Sequence, residues 1–69
     1  MHDDWVQIIA SSKLYEIELI RGLLLENNIE NFVLNKQDSI YLIGEIELYV
    51  SSDNFIKAQQ IILNNNNIE

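Results

Sequence analysis

The side chains able to do chemistry are few and widely spread. Glu45 and Glu47 alternate along EIELYV. As a strand, that stretch places both carboxylates on one face about 7 Å apart, a separation that could suit an acid–base pair or a metal bridge. No histidine or other base lies near them in the sequence, so a solvated strand face accounts for the pair. The one histidine, His2, stands beside Asp3 and Asp4. With the plentiful serines it superficially outlines a Ser-His-Asp combination, or a metal site with the two acids. It belongs, however, to an N-terminal segment, residues 1–4, that nothing in the sequence tethers and that is expected to be mobile. Ser11, Ser12, Ser51 and Ser52 fall where helix N-caps belong. There is no cysteine, no Walker motif, no GxGxxG and no CxxC, and Gly22 and Gly44 are the only glycines. No catalytic residue, metal site or cofactor is expected, and the chain is read as a non-enzyme.

Composition narrows the partners. With 11 acidic against 4 basic residues the formal charge is −7, which repels phosphate backbones and anionic membrane surfaces, and no basic cluster offsets it locally. Neither nucleic acid nor a membrane is an expected partner. The opening MHDDWVQIIAS carries acids where a secretory signal needs positive charge, and no apolar run approaches the length of a membrane span, so a cytoplasmic location is expected. A chain of 69 residues has room for one domain, residues 1–69, and buries only about 60% of its unfolded surface. Small domains compensate with disulfides, metals or oligomerisation. Without cysteines, and with its histidine in a tail, this chain has oligomerisation as its open route, and a homo-oligomer is the expected state.

The elements that must position any surface follow from periodicity. WVQIIA, residues 5–10, reads as a strand with Val6, Ile8 and Ala10 on one face and Trp5, Gln7 and Ile9 on the other. Helical spacing begins at Leu14 and runs through Ile17, Ile20 and Leu24, with Leu25 at the border, and Asn27–Asn28 closes it. Glu16 and Glu18 sit where the helix dipole favours acids. Residues 29–36 form the next strand, with Phe32 and Leu34 on one face and Val33 on the other. Residues 37–44 are either a loop with an apolar tip or the extended start of the following strand. Residues 45–50 alternate cleanly, Ile46, Leu48 and Val50 inward. A second helix runs from the Ser51–Ser52 cap to about Asn64, Phe55, Ala58 and Ile62 on one side with Ile61 and Leu63 widening it, and residues 64–69 form a polar tail. The order β-α-β-β-α predicts an α+β two-layer sandwich of the ferredoxin-like type, both helices on one face of a small sheet. A crossover to a parallel neighbour joins the first two strands, the later two pair antiparallel, and the last strand is missing or vestigial, with Ile68 as its remnant.

The segments WVQIIASSKLYEIELIRGLLLENNIENFVL and IELYVSSDNFIKAQQII resemble the small bacterial domain family described as putative signal-transducing proteins. Glu16, Ile17, Glu18, Leu19, Ile20, Arg21, Gly22, Leu23, Leu24 and Ile29 match that family's helix and its step into the next strand. Leu48, Val50, Asp53, Lys57 and Ala58 match its last segment. Ile17 departs where alanine is common, and Asn28 where glycine is. The resemblance implies a PII-like fold and a signalling role without an assigned activity. PII-like proteins are trimers that bind nucleotides between subunits. Here the connection between the second and third strands spans only residues 37–44 and lacks a glycine-rich cradle or basic cluster, so ATP binding does not carry over.

What remains is surface. The sheet face turned away from the helices is expected to carry Trp5, Ile9, Val33 and Tyr49 as an apolar patch beside Gln7, Asn31, Glu45 and Glu47. Tyr41, with Leu42 and Ile43, adds an apolar tip in the connection. Leu19 and Leu23 form a second greasy strip on the first helix, reaching either the second helix or a partner subunit, with Gly22 permitting close approach. The leading expectation is an interaction module that self-associates through its open sheet face and has room for a protein partner. The alternative is a sensor that binds a metabolite or nucleotide between subunits.

Overall fold

A computed structural model describes residues 4–38, 40–41 and 43–65; the readings made above on His2, Asp3, Leu42, Ile68 and most of the polar tail lie outside them. The chain forms β1 (Trp5–Ser11), α1 (Leu14–Glu26), β2 (Asn31–Asn35) and β3 (Ile46–Ser51). A 3-10 turn, Ser52–Asn54, then leads into α2 (Phe55–Asn64). The sheet order is β1-β3-β2, with both outer strands antiparallel to β3. This is the expected α+β arrangement with one correction: β1 and β2 run parallel but are not neighbours, because β3 lies between them. Ile46, Leu48 and Val50 are all fully buried on β3. The strand richest in inward apolar residues takes the position where both of its edges are paired.

Local chemistry sets the ends of α1. The expected serine caps do not form, since Lys13 is the N-cap and no side chain caps the free N–H groups of the first turn. Ser11 acts one step earlier: its hydroxyl accepts the Lys13 N–H at 3.0 Å and donates to Glu16 Oε1 at 2.6 Å. At the other end Asn28 adopts φ 62°. The Asn28 N–H reaches Leu25 O at 3.0 Å and the Ile29 N–H reaches Leu24 O at 2.9 Å, which is a Schellman closure. Ile29 and Leu24 are both buried, so the apolar contact that accompanies this motif is present as well. Ser51 and Ser52 likewise make no side-chain cap, and the chain enters α2 through the 3-10 turn instead.

Both helices pack on one face of the sheet. The core there consists of Ile17, Leu24, Ile29, Ile46, Leu48, Val50 and Ala58, with Ile8, Ile9, Ile20, Val33, Phe55 and Ile61 packed around it. Leu14, Leu25 and Leu63, expected to join or border these faces, are each half or more exposed. The buried stripe of α1 narrows to Ile17, Ile20 and Leu24. Gly22 has no atom within 4 Å of where a Cβ would stand, so the close-packing role expected of it is absent within the chain.

Two strand faces differ from the simple alternation. The β1–β3 register slips between Gln7 and Ile9, a β-bulge that adds one residue and inverts everything beyond it. Ile9 pairs with buried Leu48 and Ala10 with Glu47, so Ile9 turns toward the helices. On β2, Val33 pairs with Leu48 while Phe32 pairs with Tyr49 and Leu34 with Glu47. Directly paired residues share a face, so Val33 is on the helix side.

Candidate functional site: the open face of the sheet

With these corrections the face away from the helices has a definite membership. One row across the three strands is Gln7, Tyr49, Phe32, and the next is Ala10, Glu47, Leu34. Trp5 stands beyond the first row, opposite Ser51. Phe32 is the centre of an aromatic cluster. Its ring stacks on Tyr49 with centroids 5.0 Å apart and planes 6° from parallel, and Trp5 meets it edge-on at 5.1 Å. Both arrangements suit the ring quadrupoles. The cluster is not covered: Trp5, Phe32 and Leu34 are about two-fifths exposed, at 41%, 39% and 41%.

A polar arm borders the aromatics. The Tyr49 hydroxyl donates to Glu47 Oε1 at 2.7 Å, and Lys36 Nζ lies 3.4 Å from Glu47 Oε2. The hydroxyl bond, reinforced by the lysine charge, holds the Glu47 carboxyl below its ordinary pKa, and the same bond pushes the Tyr49 phenol above its own. The carboxylate therefore stays charged and the phenol protonated across neutral pH. Both Glu47 oxygens are engaged in orienting neighbours, which leaves the Glu45–Glu47 pair better explained as structure than as acid–base machinery.

In the connection between β2 and β3, hydrogen bonds hold the described residues in place. Asp38 Oδ1 accepts the N–H groups of Ile40 at 2.7 Å and Tyr41 at 3.0 Å, and its own N–H donates to Ile43 O at 2.9 Å. The bonds from Tyr41 and then Ile40 hold the Asp38 carboxyl below its ordinary pKa. Gln37 Nε2 ties the loop to the β1–α1 turn through Ser12 O at 2.8 Å. With its base fixed, the loop presents Ile40, Tyr41 and Ile43 to solvent.

Of the seven residues expected at an interface, Trp5 and Tyr49 stand together on the open face. Tyr41 is exposed on the loop. Ile9 and Val33 are on the helix side, packed against the core. Leu19 is 66% exposed and Leu23 half-buried on α1, so Leu19 is not sealed by the second helix. Phe32 and Leu34 were missed. Their alternation was legible, but two large apolar residues against one valine point inward, and only the pairing with β3 reveals the opposite.

No helix among the described residues is long and apolar enough to cross a membrane. A family model described as "putative prokaryotic signal transducing protein" matches residues 5–66, nearly the whole chain. No curated protein and no solved structure matches.

Proposed function

Because this chain belongs to the putative prokaryotic signal transducing protein family, we propose that it acts as a non-enzymatic interaction module that self-associates through its open sheet face. The observation that carries the reading is the exposed Trp5–Phe32–Tyr49 cluster. Pre-stacked rings lose little conformational freedom when covered, and aromatic residues are the usual anchors of protein interfaces. The Tyr49–Glu47–Lys36 arm supplies a polar rim whose charges are already paired, so covering the face strands no lone charge. A second copy offers the same combination of stacked rings and satisfied rim.

Sedimentation at micromolar concentration tests this. Wild type is expected as an assembly, and Phe32→Asp, which places a carboxylate among the rings, is expected to weaken it by about tenfold or more. Leu34→Lys guards against a folding artefact, since the new ammonium lies opposite Glu47 and is tolerated in the free subunit while still charging the face. Unaltered mass in both variants rejects the open face as the contact.

A further inference from the structure

Besides its open face, the sheet has an edge at β1 that no described residue pairs. Among the described residues no strand lies beyond β1, the side on which the last strand of a full β-α-β-β-α-β unit would stand. An unpaired edge is a template for another strand, and proteins usually guard it with charge or proline. β1 has neither: its seven residues, WVQIIAS, include no ionisable side chain in a chain that carries −7. Its one guard is the bulge between Gln7 and Ile9, which bends the strand locally and leaves the rest of the edge without protection. The opposite edge, β2, is shorter at five residues, its terminal asparagines bond the adjoining backbone, and its flanking Lys36 is already paired with Glu47.

We propose that β1 pairs antiparallel with β1 of a second copy, joining two sheets into one of six strands. Charge selects both the occupant and the direction. β1 is bracketed by Asp4 at one end and Lys13 at the other, Asp4 exposed and Lys13 exposed in an extended backbone. An antiparallel twofold sets each Asp4 at the end where the partner's strand finishes in Lys13, whereas a parallel pairing sets like against like. The uncharged stretch between them lets two acidic copies approach without placing acids opposite one another. A twofold perpendicular to the sheet keeps both aromatic clusters on the same side. Edge pairing therefore leaves the open face available, and stacking two six-stranded sheets through that face gives a closed assembly of four.

The inference rests on self-association but not on the open face, and charge reversal in the Phe32→Asp background separates the two. There, sedimentation is expected to give a dimer held by the edge alone. Asp4→Lys and Lys13→Glu are each expected to shift that dimer toward monomer, weakening it about tenfold or more by turning two attractions into repulsions. The double reversal is expected to restore the dimer. A monomer in the Phe32→Asp background overturns the edge contact and leaves the face reading standing. So does a dimer whose strength is the same in all four charge states, or a double reversal that fails to restore it. A wild type that Phe32→Asp does not alter but that the single reversals dissociate keeps the edge and rejects the face. A monomeric wild type, as when a segment of the same chain or a different protein occupies the edge, overturns both.

Discussion

Gly44 and Gly22 show at the scale of one residue how differently two glycines can be used. Gly44 has φ 111°, and a Cβ there would stand 2.7 Å from Lys36 O. Both the backbone region and the clash with a carbonyl demand a missing side chain. Gly44→Ala is expected to cost about 2 kcal/mol of stability by urea denaturation, as the loop bearing Tyr41 loses its closing turn. Gly22 is the opposite case: it is exposed on α1, with open space before it. Gly22→Ala is expected to stabilise the subunit by up to about 1 kcal/mol, the helix propensity that glycine forfeits. Sequence inspection gives Gly22 the close-packing role and Gly44 none, because spacing locates a glycine on a helix without showing what faces it. The Asn28 helix end was legible, since few residues other than glycine and asparagine accept a left-handed backbone.

At the scale of elements, legibility depended on how much a segment's own pattern decides. β3 was readable because Ile46, Leu48 and Val50 leave no second choice of inward face, and α1 because thirteen residues give several repeats of one stripe. β1 defeated the same logic. One inserted residue between Gln7 and Ile9 turns Ile9 inward, and nothing in WVQIIAS announces a bulge. β2, at five residues, offers two competing faces and is settled only by its register with β3. The central position of β3 was equally invisible to local pattern, because strand order is decided by tertiary burial. The revised faces separate stability from association. Val33→Ala, on the helix side, is expected to cost about 1–2 kcal/mol in urea denaturation without altering sedimentation, the reverse of what Leu34→Lys should do one residue away. Were Val33→Ala to dissociate the assembly at unchanged stability, the inward placement of that residue would be wrong.

For the whole molecule the deciding facts are its thinness and its charge. Cα extents of 35 × 32 × 15 Å describe one helix layer on one sheet, so among the described residues nothing covers the sheet's second face. Among the described residues the fully buried core amounts to seven side chains, little for a domain that must offset the entropy of ordering its backbone. The proposed self-association would then be coupled to folding by mass action, because a partner that binds only the folded subunit raises the melting temperature with concentration. The net charge of −7 opposes that association between identical copies. Added salt shortens the Debye length to about 8 Å at physiological ionic strength and weakens this repulsion. The melting temperature is therefore expected to rise with protein concentration, and to rise further as salt is raised from low to physiological levels. The proposed pairs between Asp4 and Lys13 of two copies would lose strength under the same conditions, but they are two local attractions against the repulsion of two whole acidic chains. A basic partner protein would show the reverse, its hold on this acidic surface falling as salt is added. A calorimetric series over protein concentration and salt therefore distinguishes a second copy from a foreign cation-rich partner. A melting temperature independent of protein concentration would mean that the chain does not self-associate.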